Sequence, residues 1–219
     1  ESAIQINAEM FMAATDDLPD DLDELDQWEF PEETLNPSEI ILVCASSKNR
    51  NYRTRHWESI ILAENEWRYF IGTEEPDENW KNLNFEEPWL SGPGGFGYGD
   101  GDDGTTIELT NDAVSVYLRK LFSLEDIDEL TSLVLHADYD DSFVAYINGV
   151  EIMRSDNISG YNPEYYATAE WDHEASLYWG GEPEEKIFNK DELNNLLSPD
   201  GNVLAIQVHN VSSTSSDMS

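Results

Sequence analysis

Short runs in which apolar and polar residues alternate make up most of the chain after Trp67, and such runs predict β-strands rather than helices. The clearest predicted strands are Trp67–Ile71, Ser115–Phe122, Thr131–Asp138, Phe143–Ile147 and Val203–His209. Turn residues separate them, and the sequence contains no repeat of fixed period. This pattern predicts an all-β fold, an antiparallel β-sandwich.

The strongest local signal is the dipeptide Asn148-Gly149 between two apolar runs. Asn and Gly tolerate the positive φ angles of a type I′ turn, so residues 143–153 are predicted to form a β-hairpin. Helical patterns are short by comparison. Asp77–Leu83 and Lys190–Leu197 are predicted to be short helices or turns, and the second is followed by Ser-Pro-Asp-Gly.

The first 47 residues have a different composition, because they contain 13 acidic residues and no Lys or Arg. Leu18, Leu22 and Leu25 alternate with acidic residues there, a spacing that fits either a short amphipathic helix or a solvated acidic linker. We therefore divide the chain into an acidic N-terminal segment at 1–50 and a β-sandwich domain at 57–219.

The chain as a whole is strongly acidic, with 47 Asp and Glu against 11 Lys and Arg, for a formal charge of −36. Phosphate recognition needs clustered basic residues, so this balance argues against a nucleic-acid partner. No apolar run approaches the roughly 18 residues needed for insertion into a membrane. Cys44 is the single cysteine, which excludes an internal disulfide and favours a buried, inert thiol.

Four segments together carry a resemblance to a known family. They are residues 89–105 (WLSGPGGFGYGDGDDGT), 116–122 (VYLRKLF), 138–149 (DYDDSFVAYING) and 202–210 (NVLAIQVHN). Their order and spacing resemble the galactose-binding-like jelly-roll module of large secreted bacterial surface proteins, which also carry lamin-tail-like and CotH-type domains. The resemblance covers residues 57–219. It implies an extracellular or cell-surface location and one more apolar strand beyond residue 219.

The N-terminal segment carries a second, weaker resemblance. Ile40–Arg50 is similar to the closing part of a lamin-tail-like domain, and Ile4–Asn7 to its opening strand. The stretch between them is much shorter than the body of such a domain. The N-terminal segment is therefore expected to be a remnant of that domain, or part of the chain is absent from this sequence.

Two groups of carboxylates are candidate calcium ligands. The first is Asp100, Asp102 and Asp103, and the second is Asp138, Asp140 and Asp141. Calcium requires six to eight oxygen ligands, which flexible acidic loops can supply. An EF-hand is excluded, because Thr105 replaces the sixth-position glycine and Asn111 the twelfth-position glutamate. Tight turns are the alternative, equally weighted for the first group and favoured for the second.

A sugar-binding site is predicted from the alternation of side chains along the predicted strands. Side chains on alternate positions of a strand share a face, so the polar residues opposite the predicted core fall on one side. They are Tyr117, Arg119, His136, Gln207 and His209, with the loop aromatics Trp171 and Trp179 available for stacking. The favoured alternative is structural: Arg119 pairs with an acid, both histidines have buried polar partners, and the tryptophans pack at the core or its rim.

Each catalytic motif considered is either incomplete, absent or in an unsuitable context. Residues 92–97 match G-x-G-x-x-G, but Asp100, Asp102 and Asp103 follow immediately and would repel a phosphate. His173-Glu174 has Leu177 where a zinc protease needs its second histidine. A nucleophile elbow, G-x-S-x-G, is absent. The chain is therefore not expected to be an enzyme.

The leading hypothesis is a non-catalytic extracellular module of a larger bacterial surface protein, serving adhesion or assembly, with glycan and calcium binding. Its expected partners are a glycan or neighbouring surface-protein subunits. Two alternatives remain open. One is a structural subunit of a surface filament, sheath or layer, and the other is an accessory domain of a secreted hydrolase or kinase-like enzyme.

Overall fold

The computed structural model describes residues 59–219, except 63–64, 87, 100, 102, 110–111, 125–126 and 129. The predictions for the acidic segment, Cys44 and the lamin-tail-like stretches lie outside these residues, and the domain boundary stays a prediction. The strands of the described part are β1 (Glu66–Ile71), β2 (Leu90–Pro93), β3 (Phe96–Gly97), β4 (Thr105–Thr106), β5 (Ser115–Phe122), β6 (Ser132–Ala137), β7 (Ser142–Ile147), β8 (Val150–Arg154), β9 (Glu184–Asn189) and β10 (Asn202–His209). Its α-helix is α1 (Lys190–Leu196).

A six-stranded antiparallel sheet, in the order β2-β1-β5-β10-β7-β8, forms the centre of the domain. A second layer contains the antiparallel pair β6–β9, helix α1 and the short parallel pair β3–β4. The predicted all-β antiparallel sandwich is confirmed. The five strands with the clearest sequence pattern are each found within one residue of their predicted ends.

The main core lies between the central sheet and the second layer. Phe143, Ala145 and Ile147 of β7 and Leu204 of β10 pack there against Phe188 of β9 and Leu193 of α1. Farther along the same face, a second group contains Val116, Leu118, Val208, Ile107 and Met218. These are the alternate positions that strand phase predicted for the core.

The opposite face of the central sheet is also covered, by the loops at 72–89 and 155–169. Trp80 of the first loop lies edge-on to Tyr117 of β5, with ring centroids 5.0 Å apart. Ile158 of the second loop packs in the same cluster, together with Val144, Tyr146, Val203 and Ala205. Both faces of β5, β7 and β10 are therefore buried, and the polar residues on this face are enclosed.

The predicted hairpin is present at β7–β8. Asn148 and Gly149 have φ angles of 51° and 84°, as a type I′ turn requires. The Asn148 side chain also ties the turn to its surroundings: Nδ2 donates to the carbonyl of Leu196 at 2.8 Å, and Oδ1 accepts from the amide of Val203 at 3.0 Å. One turn residue thus fixes both the hairpin and its position beside α1 and β10.

Helix α1 begins with a reciprocal capping box. The Asn189 side chain accepts hydrogen bonds from the amides of Asp191 and Glu192, and the Glu192 side chain accepts from the Asn189 amide. Leu193 is the buried residue of this helix. Among the described residues, no helix is long and apolar enough to cross a membrane.

Strand β9 was not predicted from the sequence. Its residues, Glu-Glu-Lys-Ile-Phe-Asn, carry three charges, and only Phe188 is buried. The strand forms because β6 offers a partner, with Leu133 opposite Phe188 in the antiparallel register. Tertiary pairing thus outweighs a weak local pattern here.

Candidate functional site

Four of the five polar residues predicted to share a face do so. Tyr117 and Arg119 of β5 lie beside Gln207 and His209 of β10, with Tyr117 directly opposite Gln207 in the register. All four are buried, and Tyr117 and His209 are fully enclosed. Tyr117, Gln207 and His209 are therefore closed to a sugar, which agrees with the favoured structural alternative for these three residues.

The polar side chains of this face hold the covering loops. Three of them bond to backbone carbonyls of the loops rather than to ligands or acids. The pairs are Arg119 Nη2 with Asn82 O (2.6 Å), Arg119 Nη1 with Phe85 O (3.1 Å), Gln207 Nε2 with Pro163 O (3.4 Å) and His209 Nδ1 with Ala167 O (2.8 Å). The structural alternative is thus supported for this face, except that Arg119 pairs with no acid in the described part of the chain.

Burial changes the ionisation of this face. It lowers the pKa of His209 to about 4, against a partly compensating hydrogen bond to Ala167. It also lowers the pKa of Arg119 and raises that of the Tyr117 hydroxyl. Since Nδ1 of His209 donates to a carbonyl, Nε2 carries the lone pair, and this buried atom has no partner among the described residues. His209 is neutral at pH 7.

His136 does not belong to this group. It lies on β6 in the second layer, where its exposed ring faces Glu185 of β9 across the strand pair. The distance from Nε2 to Oε2 is 2.9 Å. His136 lies on the opposite face of β6 from Leu133 and Leu135, as the alternation of side chains predicted. That face of β6 is the outer surface of the sandwich. Its predicted place beside Tyr117 is wrong.

Two of the candidate metal ligands accept hydrogen bonds from backbone amides through their side-chain carboxylates. Asp138 accepts from the amides of Ser176 at 2.7 Å and Leu177 at 3.0 Å. Asp141 accepts from the amides of His173 at 3.0 Å and Val211 at 2.7 Å, and it is only 3% exposed. These two carboxylates thus accept hydrogen bonds from residues distant in sequence and position the loop at 171–177, a structural use that differs from the predicted tight turn.

The segment from Trp171 to Trp179, which we call the aromatic loop, presents both tryptophans to solvent. Trp171 is 49% exposed and Trp179 is 75% exposed. The backbone between them is anchored by Asp138 and Asp141, and Asn157 Nδ2 donates to the Trp171 carbonyl at 2.8 Å. Gly180, with a φ of 79°, ends the 3-10 turn that carries Trp179. The loop thus combines a fixed backbone with exposed indoles.

Beside the aromatic loop lies a cluster of three carboxylates, from Asp140, Glu174 and Asp217, which we call the carboxylate cluster. One oxygen from each lies within 4.8 Å of the others. Asp140 is buried, Asp217 is half-buried and Glu174 is exposed, so the cluster can hold a metal ion. Only Asp140 was among the predicted ligands, because no local spacing connects it to Glu174 and Asp217.

The glycine-rich group of predicted metal ligands is described only in part. Asp100 and Asp102 lie outside the described residues. Asp103 lies against the backbone of Gly97, and its carboxylate is not part of the carboxylate cluster. The calcium site predicted for these three residues therefore stays a prediction.

Comparison with known proteins yields structural similarities alone. No protein-family model matches the chain, and no curated protein does. A β-glucuronidase of Bacteroides uniformis is 17% identical over 69% of this chain and 14% of that chain, with a TM-score of 0.38. One from Ruminococcus gnavus is 13% identical over 67% and 20%, with a TM-score of 0.38. A glycoside hydrolase family 2 β-glucuronidase is 16% identical over 68% and 13%, with a TM-score of 0.41.

The chain thus spans at most 20% of the length of these three enzymes. At this identity and TM-score, the similarity says nothing about catalysis, substrate or metal in this protein.

Proposed function

We propose that this chain is a non-catalytic glycan-binding module of a larger bacterial surface protein, acting outside the cell. The observation that carries the proposal is the aromatic loop, where Trp171 and Trp179 are exposed on an anchored backbone. The resemblance of residues 57–219 to a galactose-binding-like jelly roll supports the same role.

The physical basis is the chemistry of the indole ring. Large aromatic side chains are usually mostly buried, so two exposed indoles on one short loop need an explanation. Their flat apolar faces stack on the C–H face of a sugar ring, and little side-chain entropy is lost because only two torsions are fixed. Backbone anchoring by Asp138 and Asp141 further reduces the ordering cost of binding.

The charge around the loop favours a neutral glycan. Glu170, Asp172 and Glu174 lie beside the tryptophans and are exposed. These carboxylates would repel an anionic ligand and can accept hydrogen bonds from sugar hydroxyls. The aromatic loop is therefore suited to an uncharged polysaccharide.

Calcium binding at the carboxylate cluster is the second part of the proposal. Three carboxylates supply part of the oxygen shell of calcium, and backbone carbonyls and water complete such shells. Glu174 belongs to the aromatic loop, Asp140 to the turn before β7, and Asp217 to the C-terminal tail. A bound ion would therefore connect the tail to the loop that carries Trp171.

Replacement of the exposed tryptophans should weaken glycan binding without affecting the fold. We expect Trp171→Ala and Trp179→Ala each to reduce affinity for a neutral polysaccharide about tenfold, because each removes one stacking surface. Affinity electrophoresis against a panel of neutral polysaccharides, with and without calcium, measures the effect. Ile187→Ala is the matched control, since Ile187 is also an exposed apolar residue but lies on β9. The proposal fails if the unmodified chain binds no polysaccharide under either condition.

Calcium should raise the thermal midpoint of the chain. An ion that binds only the folded state at 100 times its Kd adds about 2.7 kcal/mol of stability. A thermal melt in calcium and in chelator measures this shift, and Glu174→Gln should reduce it strongly. Glu170→Gln is the control, because it removes an exposed carboxylate outside the cluster. Equal shifts for the two variants would show that the ion does not bind at this cluster.

A further inference from the structure

We propose that the chain has a second ligand site, which binds an acidic sugar in a groove at the other end of the central sheet. This groove, which we call the cationic groove, has a volume of about 570 Å³. Its lining includes Trp67, Arg68, Trp89, Arg119 and Lys120. The inference goes beyond the proposed function, because it concerns a different place on the fold and a different charge class of ligand.

The topology separates the two sites. The cationic groove lies where β1 begins and β5 ends, at Arg68 and Lys120. The loop preceding Trp171 lies at the opposite end of the same strands, where Ser115 Oγ at the start of β5 donates to the Tyr165 carbonyl at 2.6 Å. A substitution in the groove therefore leaves the aromatic loop unchanged, and the two sites can be tested independently.

Two arginines of the groove face each other, and among the described residues neither forms an ion pair with an acid. Arg68 of β1 is directly opposite Arg119 of β5 in the antiparallel register, an arrangement that costs stability for like charges. The ion pairs within the described part of the chain involve other residues, His136 with Glu185 and Arg154 with Glu151. Arg68 Nη1 donates instead to the Trp89 carbonyl at 3.4 Å, and Lys120 Nζ to the Glu66 carbonyl at 2.9 Å.

Arg119 gives the second reason to expect an anion. It is only 6% exposed, and its Nε has no hydrogen-bond partner among the described residues. Its two terminal nitrogens donate to neutral carbonyls. A buried charge is costly unless an opposite charge accompanies it. A carboxylate bound in the groove would supply that charge. It would also reduce the electrostatic repulsion between Arg119 and Arg68.

The remaining lining residues limit the charge and shape of the ligand. Glu66 and Glu86 also line the groove, so its described lining residues, three cations and two carboxylates, have a net charge of +1. This value suits a short ligand with one carboxylate per sugar unit, since the overall charge of −36 repels a long polyanion. Trp67, Phe85 and Trp89 also line the groove, and this aromatic lining favours a sugar over an acidic peptide.

The test compares an acidic oligosaccharide with its neutral ester. We expect the full chain to bind trigalacturonic acid in isothermal titration calorimetry at low salt, and to bind its fully methyl-esterified form at least about tenfold more weakly. Arg68→Gln should reduce the affinity for the acid about tenfold, because it removes one charged donor from an exposed position. Lys186→Gln is the control, since it removes an exposed cation from β9 in the second layer.

The inference would be overturned by no binding of the acid, by equal binding of the ester, or by equal effects of Arg68→Gln and Lys186→Gln. Equal or tighter binding of a pentaglutamate peptide would assign the groove to acidic peptides and would also overturn it. Trp171→Ala should leave trigalacturonate binding unchanged. A loss of binding in that variant would place the acidic sugar on the aromatic loop instead.

Discussion

Replacement of Asp141 with alanine is expected to lower the free energy of unfolding by about 3 to 5 kcal/mol. The carboxylate is almost fully buried and accepts two backbone hydrogen bonds, from His173 and Val211. Alanine leaves both amides without an acceptor, and a hydrogen bond to a charged group contributes about 1.5 to 3 kcal/mol. Urea denaturation followed by tryptophan fluorescence measures the change.

Two further variants show whether the effect arises from these hydrogen bonds. Asp172→Ala removes an exposed carboxylate from the same loop and should change stability by less than about 0.5 kcal/mol. Asp141→Asn keeps the size of the side chain but replaces one acceptor with an NH₂ group, so it should still be clearly destabilising. A loss below about 1 kcal/mol in Asp141→Ala would show that this carboxylate does not hold the loop.

Acidification is expected to destabilise the chain through His209 by about 3 kcal/mol between pH 7 and pH 4. Burial lowers the pKa of this histidine from 6.5 to about 4 in the folded chain. Between these values the unfolded chain binds a proton that the folded chain excludes, so stability falls as the pH falls. The contribution of His209 is complete above pH 6.5 and is lost on acidification towards pH 4.

The same acidification protonates many carboxylates and reduces repulsion within a chain of charge −36, so the histidine effect must be isolated by difference. His209→Gln should remove about 3 kcal/mol of the pH dependence measured by urea denaturation at pH 7 and pH 4. His136→Gln should retain the full dependence, because it leaves His209 in place. If His209→Gln and the unmodified chain lose stability in parallel, the buried imidazole does not exclude the proton.

The strands with alternating residues were predictable because their pattern is local. Val116 and Leu118 of β5 lie on one face and Tyr117 and Arg119 on the other, and the register with β10 keeps that division. The Asn148-Gly149 turn was predictable for the same reason, since two adjacent residues set its φ angles. β9 was missed because only Phe188 is buried in it, and its pairing partner is distant in sequence.

The candidate site was predictable only in its parts. Trp171 and Trp179 are exposed, and their assignment as stacking residues stays a prediction. Sequence reasoning could not show that Asp138 and Asp141 anchor the loop between them. The carboxylate cluster forms because the C-terminal tail folds back, with Met218 paired to Tyr98. The cationic groove was missed because Arg68 and Arg119 become neighbours only through the register of β1 with β5.

The sequence by itself determined the fold class, the central strands, the hairpin turn and which side chains share each strand face, because these depend on residues close together in the chain. Only the tertiary structure decided which faces are open. Loops 72–89 and 155–169 cover Tyr117, Gln207 and His209, and the second layer turns His136 outwards. Solvent exposure depends on what packs against a side chain, and those partners lie far away along the chain.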